Sequence, residues 1–375
     1  MKILVVGAVL DSRWFGGEPL VAHTIVNGLR ERGFVVASYG AMRSNKVGLK
    51  DVLRYDYSND KAYNFYIALL KREKPDIVLG FYDYDCSIYL ASLKLKIPFV
   101  VSVNIYWPIC YLWYFYIKNQ GVCEGSSFLK CVRHMCGFRY STKTIIVNAL
   151  NYFKFLSVFA VLSKAKAILV PSIFVKKRLS LAEYKNVYKV RHGINLNDVN
   201  HAPWNNQEKI VFYPCGYDEE QKGLAHFLDM ARKLRKHFGT EIKFTALGYS
   251  GDEFVKGFPK IPRSAALGLM EEAYVVVVPP LWDEPFGLTV VEAMAAGKAV
   301  VAYNSGAIPE IIEDGITGFL VTKGDVVSLA QKVKHLIEHE ELTKKMGQEG
   351  RKRAESLYSS EGMIEDYVAL LESSS

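Results

Sequence analysis

Two carboxylates eight positions apart, Glu284 and Glu292, flank a segment suited to bind a phosphorylated ligand. The segment follows the apolar run Tyr274–Pro279, and Gly297 is well placed to end a helix that begins near Gly287. The free N–H groups and positive dipole end of such a helix favour a diphosphate. Carboxylates accept hydrogen bonds from hydroxyls, so one glutamate could hold a sugar and the other a ribose. Each glutamate alone is better explained as a dipole partner or a solvated residue, but the pair with Pro-Phe-Gly between favours a binding site.

The segment that carries the two glutamates belongs to a regular alternation of strands and helices. Short apolar runs alternate with stretches of helical periodicity, which predicts a doubly wound α/β domain with a parallel sheet. Open sheets of this kind bind ligands at the carboxyl ends of their strands. The predicted strands are 209–214, 242–247, 274–279, 299–302 and 318–321, and the predicted helices are 223–237, 287–296, 307–313 and 325–338.

The amino-terminal half follows the same plan. Lys2–Val9 is a continuous apolar run, typical of a strand buried on both faces of a parallel sheet, and a helical pattern runs from Pro19 to Arg32. Asn195–Glu208 is rich in Asn and has no periodicity, so we predict a linker there, between a domain of residues 1–198 and a domain of residues 199–358. Further strands are predicted at Val35–Tyr39, Asp76–Gly80, Phe99–Val103 and Ala167–Pro171.

Residues 284–297 resemble the signature of nucleotide-sugar glycosyltransferases of the GT-B fold, in particular glycosyltransferase family 4, also called glycosyl transferases group 1. The resemblance implies two Rossmann-like doubly wound domains facing a cleft, with acceptor on the first domain and donor on the second. It also implies that a final helix within residues 359–375 packs back on the amino-terminal domain. Weaker resemblances occur in the family's order at Gly16-Gly17, Pro171–Phe174, His192–Asn195, 216–223, Gly306–Glu310 and Gly315–Gly318.

The resemblance also implies roles for individual residues. Glu284 would contact the donor sugar, Glu292 the ribose, and Lys222 the diphosphate, whose charge grows as it leaves. The implied reaction is transfer of a sugar from a UDP- or GDP-linked donor to a hydroxyl with retention of anomeric configuration. No cofactor or catalytic metal is expected, because a helix end and Lys222 replace the cation. The candidate catalytic residues are Glu284, Lys222 and Asn104, and the candidate donor-binding residues are Gly16, Gly17, Gly216, Tyr217, Lys222, Glu284, Phe286, Gly287, Leu288 and Glu292.

Two positions depart from the family pattern. Tyr217 stands where the family usually has Arg, and a phenol lacks the positive fork of a guanidinium. Asn104 follows a predicted strand that usually ends in His, and an amide does not titrate near neutral pH. Two alternatives to an active transferase therefore stay open: a catalytically impaired subunit that only binds nucleotide sugars, and another GT-B activity such as a nucleotide-sugar epimerase.

Charge is divided unevenly along the chain. Residues 1–200 hold 28 basic and 13 acidic residues, whereas residues 201–375 hold 19 and 26, which together give the net charge of +8. Residues 101–178 hold eleven basic residues and one acidic residue and include the aromatic run Ile105–Ile117. This composition suits an anionic membrane surface and a lipid-linked or cell-surface glycan acceptor. Aromatic core packing is the alternative, and a nucleic-acid partner is not expected because no recognised module is present.

The last two predictions concern a possible metal site in a cysteine-rich stretch and the cellular location of the protein. Cys123, Cys131, His134 and Cys136 could form a structural zinc site, but no C-x-x-C spacing is present, so unlinked buried thiols are the stronger interpretation. No uninterrupted apolar run reaches the ~18 residues of a membrane span. We therefore expect a cytoplasmic protein, with peripheral contact on the inner face of the membrane as a further expectation.

Overall fold

The chain divides into two compact units. The amino-terminal unit comprises Met1–Ile117, Cys123–Arg191 and Met363–Ser375, and the carboxyl-terminal unit comprises Lys118–Val122 and His192–Gly362. The computed structural model describes residues 1–7, 10, 16–40, 61–81, 86–110, 115–117, 121–123, 158–200, 208–215, 220–259 and 261–375.

A six-stranded parallel sheet forms the centre of the amino-terminal unit, in the order β2-β1-β3-β4-β7-β8. Strands β1, β3, β4 and β7 are buried along nearly their whole length, which is why their sequences are almost purely apolar. The strands of this unit are β1 (Lys2–Gly7), β2 (Val35–Gly40), β3 (Ile77–Phe81), β4 (Phe99–Ser102), β5 (Tyr116–Ile117), β7 (Ala167–Val170) and β8 (Val187–Lys189). The two-residue strand β6 (Gly121–Val122) belongs to the other unit.

Helices cover the sheet of the amino-terminal unit, and the last helix of the chain is one of them from Met363 onward. Gly28 lets this last helix come close, since a Cβ at Gly28 would lie 2.2 Å from Cδ1 of Ile364. Tyr367 stacks on Phe81 at a ring-centroid distance of 6.5 Å. The helices are α1 (Gly17–Glu31), α2 (Lys61–Glu73), α3 (Ser87–Leu95), α4 (Ile173–Leu181) and the last helix, α11 (Ser360–Ser374).

The carboxyl-terminal unit has a second six-stranded parallel sheet, in the order β11-β10-β9-β12-β13-β14. Its central strands are fully buried, as in the four consecutive valines of β12. The five predicted strands of this unit are confirmed, and β11 is an additional edge strand. The strands are β9 (Lys209–Tyr213), β10 (Ile242–Leu247), β11 (Val255–Phe258), β12 (Val275–Val278), β13 (Ala299–Tyr303) and β14 (Gly318–Val321).

Six helices of the carboxyl-terminal unit lie among the described residues. Helix α10 packs closely against the backbone at Gly297, and Gly347 allows this approach. A Cβ added at Gly347 would lie 2.1 Å from the carbonyl oxygen of Gly297. Among the described residues, no helix combines the length and the apolar composition needed to cross a bilayer. The helices are α5 (Leu224–Phe238), α6 (Arg263–Glu272), α7 (Leu288–Ala295), α8 (Ile308–Ile311), α9 (Val326–Glu338) and α10 (Glu340–Leu357).

Candidate functional site

Glu284 lies in the loop between β12 and α7, and its side chain has two fixed donors. Oε2 accepts a hydrogen bond from Nζ of Lys222 at 3.0 Å and another from Nε1 of Trp282 at 2.8 Å. The Lys222 ammonium also lies 4.5 Å from the centroid of the Trp282 ring, within the range of a cation–π interaction. The structure therefore brings two of the three predicted catalytic residues into direct contact and adds Trp282, which the sequence analysis missed.

The position of Lys222 is set by the turn that precedes α5. Glu220–Lys222 form one turn of 3-10 helix, and Gly223 follows in the left-handed region with φ 78°. Only glycine fits there, because a Cβ would lie 1.9 Å from the carbonyl oxygen of Pro279. The Tyr213 hydroxyl donates to the Lys222 carbonyl at 3.2 Å, which ties the turn to the end of β9. The lysine is thus held at the carboxyl ends of β9 and β12.

The start of α7 has the features predicted for an anion site. Gly287 precedes the helix with φ 113°, and no side chain caps the first turn. Phe286 is buried against the His192 ring at 5.1 Å and the Tyr358 ring at 5.9 Å, which fixes the approach to the helix. The N–H groups at the beginning of α7, from Leu288 onward, therefore carry the positive dipole end without a side-chain acceptor from the cap position.

A loop after β13 supports the backbone of Glu284. The Ala307 N–H donates to the Glu284 carbonyl at 2.8 Å, and the Ser305 hydroxyl donates to the Trp282 carbonyl. Gly306, between them, has φ 58°, and a Cβ there would lie 2.2 Å from the Glu284 carbonyl oxygen. The absence of a side chain at Gly306 is therefore what allows this loop to hold the glutamate in place.

Glu292 lies inside α7 and is bound to a residue outside the predicted set. Its Oε1 accepts from Nε of Arg263 at 2.9 Å, and Nη1 of the same guanidinium lies 2.9 Å from Oδ2 of Asp198. Burial raises the pKa of Glu292, and the charge of Arg263 opposes that shift. A basic residue in the first turn of a helix opposes the helix dipole, but the sequence analysis predicted no helix at 263–272, so this mismatch is evident only from the structure.

Cys215, at the end of β9, lies in the field of the Lys222–Glu284 pair. Burial raises the pKa of its thiol to about 11, with Lys222 lowering it and Glu284 raising it by smaller amounts, so the thiol stays protonated at neutral pH. Gly216 and Tyr217, the next two residues, lie outside the described residues. Their predicted contacts with the donor remain predictions.

The amino-terminal unit holds the other predicted site residues at the start of α1 and the end of β4. Gly16 precedes α1 with φ 131°, and Gly17 is the first residue of the helix. Asn104 is buried, its amide lies 3.5 Å from the Glu18 carboxylate, and its carbonyl oxygen accepts from the Ser102 hydroxyl at 3.0 Å. Ser102 also pairs with the Tyr367 hydroxyl at 2.7 Å. Glu18, directly after the two glycines, was missed by the sequence analysis although its position beside them could have indicated it.

Burial raises the pKa of Glu18 from 4.5 to about 7, and the smaller effect of the hydrogen bond with Asn104 lowers it. Because the pKa is higher in the folded state, this carboxyl contributes stability below pH 4.5 that is lost as pH rises to 7. We expect Glu18→Gln, which cannot ionise, to gain on the order of 1–3 kcal/mol relative to wild type between pH 4.5 and pH 8. Denaturant unfolding at both pH values measures the difference. Glu31→Gln, at an exposed position of the same helix, is the control. An equal effect of Glu18→Gln at both pH values would contradict the assignment.

The sequence analysis made two predictions about metals: no catalytic metal, and a weak candidate for a structural zinc site. Across the described residues, no group of three or more His, Cys, Asp or Glu side chains is arranged to hold a metal ion. Of the zinc candidates, Cys123 is half-buried, whereas Cys131, His134 and Cys136 lie outside the described residues. The zinc hypothesis therefore stays untested.

Comparison with known proteins finds similarity to one family in the carboxyl-terminal part of the chain. Residues 197–353 match the family model described as glycosyl transferases group 1. The chain is 27% identical over 169 residues to a phosphatidyl-myo-inositol mannosyltransferase of Mycobacterium leprae, covering 41% of this chain and 45% of that protein. It is 32% identical over 146 residues to an MMP alpha-(1->4)-mannosyltransferase of Mycolicibacterium hassiacum, covering 39% and 35%. The chain thus spans less than half the length of either relative.

Solved structures have a backbone fold similar to that of this chain over nearly its whole length. Sucrose-phosphate synthase from Thermosynechococcus elongatus has a TM-score of 0.71 at 15% identity and covers 99% of this chain and 98% of its own. Anabaena Alr3699/HepE in complex with UDP-glucose has a TM-score of 0.69 at 15% identity and covers both chains completely (100% each). At this identity the structures establish the fold alone. The chain therefore has the GT-B fold, and its residues 197–353 are similar to glycosyl transferases group 1.

Proposed function

We propose that the protein transfers a sugar from a nucleoside-diphosphate sugar to a hydroxyl acceptor. The observation that carries the proposal is the contact between Lys222, Glu284 and Trp282 beside the uncapped start of α7. This arrangement offers a cation and a helix dipole for a diphosphate, and a carboxylate for sugar hydroxyls. The two mannosyltransferase relatives and the UDP-glucose complex of HepE support the same class of donor.

In this mechanism the charge of the leaving group is met by Lys222 and α7. As the bond between sugar and diphosphate breaks, negative charge grows on the diphosphate, and fixed positive groups at that place stabilise the transition state. A diphosphate competes with Glu284 for the lysine ammonium. When the lysine turns to the phosphates, Oε2 of Glu284 becomes able to accept from a sugar hydroxyl. The donor thus replaces the contact that the two side chains make with each other.

Retention of anomeric configuration and independence from a metal are parts of the proposal that the family resemblance supports. Lys222 and the start of α7 supply the positive charge that a metal would otherwise provide. A catalytically impaired subunit remains the second candidate, because Asn104 cannot titrate where the family usually has His. Transfer of a labelled sugar to an acceptor, in the presence of a strong chelator, would support an active metal-independent transferase. Isomerisation of the labelled donor would instead indicate an epimerase.

Glu292→Gln is expected to weaken binding of the nucleotide about 10- to 100-fold. This variant removes a charge-assisted hydrogen bond to the ribose, which is typically worth ~1.5–3 kcal/mol. The loss should be similar for free UDP or GDP and for the corresponding nucleotide sugar, since the ribose is common to both. Calorimetric titration measures it, with Glu241→Gln at an exposed position as the control. Wild-type affinity in the Glu292 variant, or a loss seen only with the sugar attached, would contradict the ribose assignment.

The acceptor is proposed to be a lipid-linked or cell-surface glycan, met at an anionic membrane surface. The support is the charge of residues 101–178, which hold eleven basic residues and one acidic residue. Binding to vesicles with anionic lipid should exceed binding to neutral vesicles. It should also weaken as salt rises, because exposed charges are screened over ~8–10 Å at physiological ionic strength. Equal and salt-insensitive binding to both kinds of vesicle would reject the membrane contact.

A further inference from the structure

The Arg263 side chain joins three elements of the carboxyl-terminal unit. Arg263 is the first residue of α6, Glu292 lies in α7, and Asp198 lies in a 3-10 turn where Asn195 donates to it at 2.9 Å. The guanidinium gives Nε to Glu292 and Nη1 to Asp198, both at 2.9 Å. A single cation therefore sits between two carboxylates, at a helix end where the dipole disfavours positive charge.

Stability alone does not explain this arrangement. Nη2 of Arg263 is buried and has no hydrogen-bond partner among the described residues. An unpaired buried donor costs free energy, and buried ion pairs are weak evidence of stabilisation. The Glu292 side chain is only 14% exposed, so the chain also bears the cost of burying this carboxylate. Unsatisfied and desolvated groups of this kind are more frequent at functional sites than elsewhere.

The two oxygens of Glu292 have different surroundings. Oε1 is occupied by Arg263, whereas Oε2 accepts no hydrogen bond within the described part of the chain, and solvent reaches it. An ionised carboxylate held through one oxygen presents the other in a fixed direction as an acceptor. This is the geometry needed to receive a hydroxyl of a ribose.

We propose that Arg263 is a positioning residue for nucleotide binding, which anchors Oε1 of Glu292 so that Oε2 receives the ribose hydroxyls. The inference rests on the proposed function and adds a residue to it. Burial raises the pKa of Glu292 and so favours its protonated form. The positive charge of Arg263 lowers this pKa, whereas the negative charge of Asp198 raises it, in the same direction as burial. Without the guanidinium, protonation of Glu292 would extend to higher pH, and the negatively charged acceptor would be lost there.

The test is calorimetric titration of UDP and GDP across pH 5.5 to 9, using wild type, Arg263→Met, Arg263→Lys and Asp198→Asn. For wild type, affinity falls only at the acidic end. In Arg263→Met the midpoint of this fall should move to higher pH, which makes binding at the acidic end about tenfold weaker than that of wild type and leaves a smaller difference at pH 9. Arg263→Lys restores the charge and should return the midpoint toward wild type, with affinity still reduced because the Nε contact is lost. Asp198→Asn removes the other partner of the guanidinium and should leave affinity within about twofold.

A double variant separates positioning from an independent contact. Arg263→Met combined with Glu292→Gln should bind no more weakly than Glu292→Gln alone, because Arg263 acts through the glutamate. Wild-type affinity and pH profile in Arg263→Met would overturn the inference, and so would a loss that is equal at every pH or additive with Glu292→Gln. If Glu292→Gln weakens binding while Arg263→Met does not, the inference fails and the proposed function stands. Absence of nucleotide binding by the wild-type chain would overturn both.

Discussion

Glu284→Gln is expected to lower sugar transfer by about 10²–10³-fold, the usual cost of removing one fixed polar contact from a charged transition state. Free UDP or GDP should bind to this variant no more weakly than to wild type. The reason is the 3.0 Å pair between Lys222 and Glu284, in which the carboxylate competes with a diphosphate for the ammonium. Removing the negative charge leaves the lysine more available to phosphate while the sugar loses its acceptor.

The measurement pairs a transfer assay with titration of the nucleoside diphosphate into the same preparation. Asp229→Asn, which removes a half-exposed carboxylate on α5 that forms an ion pair with Lys233 one turn away, is the matched control and should behave as wild type. Transfer at the wild-type rate in Glu284→Gln would show that the sugar is held elsewhere. A parallel loss of diphosphate binding would show that Glu284 acts on the whole donor rather than on the sugar.

Gly306→Ala is expected to reduce transfer by about 10²-fold although residue 306 carries no functional side chain. The new methyl group would lie 2.2 Å from the carbonyl oxygen and 2.4 Å from the amide nitrogen of Glu284, so the backbone that carries the carboxylate must move. A displacement of ~1 Å in a positioning residue can cost that much in rate. Overpacking against backbone also lowers the free energy of unfolding, by about 1–3 kcal/mol.

Gly315→Ala is the control for Gly306→Ala. Gly315 also has a left-handed backbone, with φ 78°, but a Cβ there meets nothing within 4 Å. It should therefore show only the backbone penalty, roughly 1–2 kcal/mol, and keep wild-type transfer. Thermal unfolding and initial rates on both variants make the comparison. Equal losses of transfer in the two variants would mean that backbone strain, rather than displacement of Glu284, is responsible.

Sequence patterns predict an element well when its burial makes the pattern. β12 is four buried valines, and such a run identifies a central strand of a parallel sheet without further information. β8 and β11 were not predicted because they are edge strands, each with exposed positions and no apolar run. Helices α6 and α10 were also missed. Helix α10 packs through Thr343, Met346, Gly347, Gly350 and Ala354, of which only Met346 is a large apolar residue, so its buried face shows little apolar character in the sequence.

The same distinction holds within the candidate site. The spacing of a short motif indicated Glu284 and Glu292, but their partners Lys222 and Arg263 are 62 and 29 residues away and meet them only through the sheet. Lys222 was predicted from family resemblance, and Arg263 was not predicted. Trp282 lies two residues before Glu284, and a buried indole N–H needs an acceptor nearby. That local signal was present in the sequence and would have indicated the contact.

The pairing of Lys222 with Glu284 has a consequence for discrimination among the anions of a cell. A lysine that already shares its charge with a carboxylate offers little net attraction to inorganic phosphate, because such an ion must displace Glu284 and leaves that half-buried carboxylate without a replacement donor. In the proposed mechanism a nucleotide sugar brings phosphate oxygens for the lysine and hydroxyls for the glutamate at the same time, so both side chains exchange one partner for another. If the proposed site is correct, abundant small anions are expected to compete poorly for it, without an additional residue to exclude them.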